Sequence, residues 1–303
     1  MVDYFPIIEI APDAPGEDEQ MGTKEKFWFD HKDFGRCLYK KARRNTGEDW
    51  SEKIAAELSE LLCLPHAKYE LATFQGERGI ISQYFLPKGG SLALGNEILS
   101  RIIPDYLRDT KSPSQHTIDS VLNAIASNAN NSINLPVDWN PPQGISQAVE
   151  TFVGYLLLDA WIGNTDRHHE NWGFVNLDNK TYLAPTYDRA SCLGRELLDN
   201  EREDRLNTKY LSFSVEAYAN KSFSAFYAQV GDKRTLKTFD AFYQAARRYP
   251  NAASLWLDCL AKISPTSTLE LFVRIPQERI SASGIEFARK ILEFNQNRLL
   301  ELR

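Results

Sequence analysis

Residues 152–174 read FVGYLLLDAWIGNTDRHHENWGF. The first half is apolar on nearly every side, so as a helix it belongs inside a protein rather than on its surface. The second half packs Asn164, Asp166, Arg167, His168, His169, Glu170 and Asn171 into eight residues. A buried element that ends in such a cluster is a solvated loop, a metal site or a catalytic loop. HHE is not the H-E-x-x-H of a zinc helix and no cysteine lies nearby, which disfavours zinc. As ordinary residues, His168 and His169 would be one satisfied core histidine and one solvated one.

Asp166 and Asn171 stand with four residues between them, the D-x-x-x-x-N spacing of a kinase catalytic loop. Taken alone, the two could equally form a turn that satisfies its own backbone. The following residues, WGFVNLDNKTYLAP (172–185), read as a hairpin turning at Asp178-Asn179. Such a hairpin carries the chain back and can bring Asp188 beside Asn171. A buried helix, the spaced pair, a hairpin and an Asp, in that order, favour the catalytic reading. Kinases ask little else of the protein, because their chemistry is positioning and charge stabilisation around metal-bound phosphates.

Upstream, KFWFDHKDFGRCLYKKA (26–42) reads as two strands around a turn at Asp33–Gly35, and DWSEKIAAELSELLCL (49–64) as a helix. Ile54, Leu58, Leu61 and Leu62 share its apolar face, and Asp49 with Glu52 resembles a capping box. AKYELATFQGERGIISQYFL (67–86) reads as a hairpin, and PKGGS (87–91) as the best boundary. After it the pattern turns mainly helical. The expected fold is α+β and bilobal, protein-kinase-like, with a small β-rich lobe over residues 1–87 and a larger helical lobe over 88–303.

The chain has 303 residues, 43% hydrophobic and 25% charged, ordinary for a globular protein. Its net charge of −6 disfavours direct binding of nucleic acid or anionic membranes. The basic run Lys40–Arg44 is by default a solvated strand end. Four dispersed cysteines without a C-x-x-C pair suit a reducing compartment. The first residues lack a signal peptide's pattern and no segment is long enough to span a bilayer, so the cytoplasm is expected, with secretion as an effector left open.

The strings LLLDAWIGNTDRHHENWGF (156–174) and LAPTYDRASCLGREL (183–197) resemble the kinase region of HipA-like serine/threonine kinases. This group includes bacterial toxin kinases and a secreted pro-inflammatory kinase. Phosphatidylinositol kinases share only the shorter D-R-H-x-x-N. The likeness continues through GTKEKFWF (22–29), WSEKIAAELSELLCLPHAKYEL (50–71) and RIPQERISASGIEFARKILEFN (274–295). The accessory region that precedes the kinase in full-length HipA toxins finds no counterpart, so an antitoxin partner is not derivable.

The resemblance implies an enzyme using ATP and Mg. It makes Asp166 the catalytic base, Asn171 and Asp188 the metal ligands, and Lys40 the phosphate-gripping lysine. Glu52 matches the helix glutamate, although by position it could simply cap its helix, with Glu57 nearer the apolar stripe. Tyr84, Phe85 and Leu86 fall on the segment that presents backbone groups to adenine. The phosphate-covering loop is placed at Gln20–Glu25, with Gly22 its only well-placed glycine. The polar segment from Asp188 to about Ser224 is expected to be an open platform for a protein substrate, and Thr23 or Ser191 could receive phosphate. A lipid or small-molecule kinase, and a pseudokinase binding module, are the competing readings.

Overall fold

The computed structural model describes residues 3–17, 25–126 and 132–303. Near its start are strands β1 (Ile7–Ile10), β2 (Lys26–His31), β3 (Gly35–Lys41), β4 (Tyr69–Phe74) and β5 (Glu77–Gln83). They form one sheet in the order β1-β4-β5-β3-β2, with β1 parallel to β4 and every other pair antiparallel. Successive strand residues face opposite ways. In β3 this turns Cys37 and Tyr39 into an apolar cluster with Phe27, Phe29 and Phe74, and Leu38 and Lys40 to the other face. Gly79 on β5 permits the approach: a Cβ there would meet the Tyr39 ring at 2.4 Å and the Lys40 carbonyl oxygen at 2.6 Å. The β4–β5 turn is the two residues Gln75 (φ 50) and Gly76 (φ 78), both left-handed as a type I′ turn requires.

Helix α1 (Glu48–Leu61) lies between β3 and β4 in the chain and packs on β4 and β5. Ile54, Leu58 and Leu62 are buried, but Leu61 is exposed. The expected capping box is absent: Gly47 is the N-cap and no side chain caps it. Asp49, 1% exposed, instead accepts from Arg78 (2.8 and 3.0 Å) and from Arg279 (3.0 Å). Arg279 also donates to Thr73 and to the Ala72 carbonyl of β4. Phe5 donates to the Arg274 carbonyl. Late residues thus fasten the first sheet.

A second sheet is built from β6 (Ser91–Leu94), β7 (Gly173–Leu177) and β8 (Lys180–Leu183), in that order and antiparallel. Asp178 (φ 48) and Asn179 (φ 60) form its turn, as expected. The rest is helical: α2 (Gly95–Ile102), α3 (Ile118–Ala126), α4 (Ala148–Ile162), α5 (Asp199–Asn207), α6 (Val215–Ala219), α7 (Thr238–Arg248), α8 (Pro250–Ala261), α9 (Pro265–Val273) and α10 (Ala282–Leu300). Every residue of α4 except Glu150 is buried, among α3, α7, α8 and α10. It stops at Gly163, which is left-handed (φ 68).

The segment after Asp188 is not the open, extended surface expected of it. It folds as α5, a 3-10 turn at Leu211–Phe213 and α6. Leu197, Leu206, Val215 and Ala219 draw it down onto Phe287 and Ile291 of α10. No helix among the described residues is long and apolar enough to cross a membrane.

Candidate active site

Asp159 lies in the last turn of α4, and a carboxylate buried in an apolar helix needs a partner. That partner is Arg167, itself 1% exposed. Its guanidinium engages both Asp159 oxygens, at 2.7 Å through Nη2 and by a short contact through Nε. It also donates to the Asn171 carbonyl (3.2 Å) and the Thr186 hydroxyl (3.0 Å). Asn164 donates to Asp159 (2.8 Å) and accepts the Asp166 N–H (3.2 Å). One buried ion pair therefore ties the end of α4 to both ends of the polar loop and to Thr186 in the segment that follows β8. In the sequence Asp159 is a single charge in an apolar run. Arg167, eight residues on, was the available clue.

The loop brings the spaced pair together. Asn171 is 4% exposed and its amide NH2 donates to the Asp166 carbonyl at 2.6 Å. Its amide oxygen has no hydrogen-bond partner among the described residues. The Asp166 side chain is 36% exposed, with Lys111 Nζ 3.2 Å from its Oδ1. Both loop histidines are buried, so neither is the solvated one expected. His169 Nδ1 bonds the Tyr106 hydroxyl at 2.9 Å, and His168 Nδ1 accepts the Glu170 N–H at 3.2 Å.

Behind them His116 donates from Nδ1 to the Ala225 carbonyl (2.9 Å) and accepts at Nε2 from Trp172 (3.2 Å), which fixes it as neutral. Burial pushes its pKa down to about 3 against the Ala225 bond, with His169 and His168 acting in the same direction as burial. The unfolded chain takes up this proton near pH 6.5. The stability His116 contributes is therefore complete above about pH 6.5 and lost as pH falls from there toward 3, at up to about 1.4 kcal/mol per pH unit. Urea unfolding between pH 7 and 4.5 should show this slope shallower by one proton in His116→Asn. An unchanged slope would remove His116 as its source.

Asp188 arrives from beyond β8 in a left-handed conformation (φ 54), its N–H donating to the Tyr69 hydroxyl at 2.9 Å. Lys40 Nζ lies 3.1 Å from Asp188 Oδ1. The default reading of Lys40 as a solvated strand end is thus corrected, because strand alternation turns it inward. Lys41 faces the other way and pairs with Glu25 and Glu77. Burial opposes the charge on Lys40, but Asp188, with Tyr69 and Glu52 beyond it, holds the ammonium above its ordinary range.

Glu52 is 1% exposed and stands in the same field. Burial and then Asp188 raise its pKa, with Lys40 and Arg189 acting against them. Its carboxylate accepts the Arg189 N–H at 2.8 Å, so it neither caps α1 nor forms a direct ion pair with Lys40. It anchors the residue after Asp188. Glu57 pairs with Lys53, away from the site.

Lys40, Asn171 and Asp188 share a cavity of about 470 Å³, whose apolar walls include Leu38, Tyr84, Phe85, Leu86 and Leu92. Phe85 stacks on Tyr187 with centroids 5.6 Å apart. The Tyr84 N–H is committed to the Arg36 carbonyl (2.9 Å), whereas those of Phe85 and Leu86 have no partner among the described residues. Most of the expected phosphate-covering loop, with Gly22 and Thr23, lies outside the described residues; Glu25 is described and pairs with Lys41. A second, more open cleft of about 600 Å³ lies on the other side of His168, which lines both. Asp166 faces this second cleft.

A cavity under a curled sheet, with a loop of this form below it, defines a protein-kinase-like fold. No family model and no curated protein matches the chain by sequence. Solved structures do: the proinflammatory kinase CtkA of Helicobacter pylori is similar over 98% of this chain and 100% of its own, at TM-score 0.74 and 17% identity. HipA, from the HipA, HipB and operator DNA complex of Shewanella oneidensis MR-1, covers 96% of this chain with 66% of its own, at TM-score 0.56 and 12% identity. At such identities the likeness speaks for the fold, and this chain has the HipA-like kinase fold.

Proposed function

We propose that the protein is an ATP- and Mg-dependent protein serine/threonine kinase. One observation carries this reading. Lys40, Asn171 and Asp188 line one cavity, and Asp166 faces a second cleft that meets it at His168. The first would hold a nucleotide and the second the hydroxyl that attacks it. Phe85 and Leu86 offer backbone N–H groups at the apolar end of the nucleotide cavity, where a purine would lie, and Lys40 grips phosphate at the polar end.

The donor set fits magnesium, which accepts hard oxygen ligands and uses one or two carboxylates together with substrate phosphates. Asn171 supplies an amide oxygen and Asp188 a carboxylate. Among the described residues no cluster of three or more His, Cys, Asp or Glu could hold a metal alone, consistent with phosphates completing the shell. Bound there, the ion would neutralise charge on the transferring phosphoryl group. Asp166 orients the substrate hydroxyl and takes its proton as the oxygen bonds to the γ-phosphorus. The bond from that phosphorus to the β,γ-bridging oxygen breaks, and ADP leaves.

Calorimetric titration with ATP tests the nucleotide half. Wild-type binding should tighten with Mg, and Asp188→Asn should lose most of that gain. Lys40→Ala should weaken binding about 10- to 100-fold, the range for hydrogen bonds to a charged group. Affinity indifferent to Mg would overturn the metal assignment. Labelled ATP supplied with a lysate, and separately with lipids and small alcohols, tests the acceptor. Label confined to the lipid or small-molecule fractions would replace this reading with the lipid or small-molecule kinase.

A further inference from the structure

We propose that the cleft beside Asp166 receives a polypeptide whose target hydroxyl is flanked by carboxylate side chains. The proposal rests on the kinase reading and names its substrate class. Lys233 and Arg234 line the cleft, both exposed. Among the described residues, neither side chain makes an ion pair or hydrogen bond. Lys111, next to the lining residue Ser112, adds a third cation where it meets Asp166. The acidic groups beside them are engaged: Asp232 accepts the Gln229 N–H (3.0 Å) and Asp109 pairs with Arg108 (3.4 Å).

In a chain of net charge −6, the arginines around α1 are matched by buried Asp49 and Glu48. Two unmatched cations on the rim of a cleft that reaches the candidate base are a charge pattern awaiting its complement.

The rim is also fixed in place. Ser224 donates to the Leu236 carbonyl and Leu236 to the Phe226 carbonyl, both at 2.7 Å. Tyr227 donates its N–H to the His116 carbonyl (3.0 Å) and its hydroxyl to the Ser112 carbonyl (3.3 Å). The segment bearing Lys233 and Arg234 is therefore bound to the one bearing Lys111 and Ser112. Phe223, 45% exposed, gives the cleft an apolar surface for a side-chain stem. The openness suits an extended chain rather than a small molecule, which needs enclosure. An acidic residue entering here competes with Asp166 for Lys111 and frees the Asp166 carboxylate for the hydroxyl.

Peptide binding by fluorescence anisotropy tests this without requiring phosphoryl transfer. Three serine peptides differ only in their flanks: Asp/Glu, Asn/Gln, or Lys/Arg. At low salt the acidic peptide should bind about tenfold tighter than the neutral one, a reasonable sum for two or three exposed charge pairs. The basic peptide should bind weakest, despite the protein's negative charge. The double variant K233E/R234E, with an unchanged unfolding midpoint, should lose or reverse the order. K262E/K290E makes the same charge change at residues lining neither cavity and should keep it. Equal binding of the three peptides, an order that survives K233E/R234E, or one lost equally in K262E/K290E would overturn the proposal. Transfer of label from ATP reads the kinase activity separately.

Discussion

Replacing Asp166 with asparagine is expected to lower phosphoryl transfer about 10²- to 10⁴-fold, the usual contribution of a positioned general base. ATP binding and unfolding should stay at wild-type values. The reasons are geometric. The Asp166 side chain is partly exposed and its ionisable neighbours are exposed Lys111 at 3.2 Å and, more distantly, His168 at 3.9 Å, so little of the fold depends on it. Its backbone, which holds Asn171, is untouched by the substitution. Asn keeps the size of the side chain but cannot accept the hydroxyl proton. Single-turnover transfer to a protein acceptor, beside a calorimetric ATP titration, separates the two effects. A folded variant that transfers at the wild-type rate would remove Asp166 from this role.

The second large effect is on stability. Arg167→Ala should destabilise the protein by about 3–5 kcal/mol, the cost of breaking a buried ion pair from one side. It leaves the Asp159 carboxylate in the apolar end of α4 without its counterion, and the Thr186 hydroxyl and Asn171 carbonyl without a donor. The paired replacement Asp159→Leu with Arg167→Met should recover much of the stability, because apolar groups of similar volume need no counterion. It should not recover activity, because the loop carrying Asp166 and Asn171 loses its tether. Urea unfolding and transfer rates on the two variants decide this. A stable, active Arg167→Ala would show that the loop is held by other means.

What was legible in the sequence was local. The unbroken apolar run of α4, the turn residues Asp178-Asn179, and the spacing from Asp166 to Asn171 each lie within a short span and fix their own geometry. Lys40 rather than Lys41 was legible only through the resemblance to HipA-like kinases; strand alternation is what turns Lys40 toward Asp188 and Lys41 away. The misreadings share a cause. Asp49 and Glu52 imitate a capping box within four residues, but their partners, Arg279 and Arg189, lie 230 and 137 residues away. Strand β1 is only IIEI, and its partner β4 lies beyond α1. Strand β6 and helix α2 went unread for the same reason, since β6 is completed by β7, which follows only after α2, α3 and α4. The second cleft was hidden because Lys111, Asp166 and Lys233 meet only in three dimensions.

The strap of late residues on the first sheet has a consequence for the order of events at the ribosome. Asp49 emerges early and finds Arg78 soon after, but Arg279 follows it by 230 residues. At about 5–20 residues per second, roughly ten to fifty seconds pass between the two. Through that interval the nascent sheet lacks the Arg279 bridge from Asp49 of α1 to Ala72 and Thr73 of β4, and is held to α1 on this edge by Lys53, while Phe5 lacks the Arg274 carbonyl. The lobe that would grip a nucleotide is therefore among the first parts made and among the last completed, and a chain still in synthesis cannot be a finished catalyst.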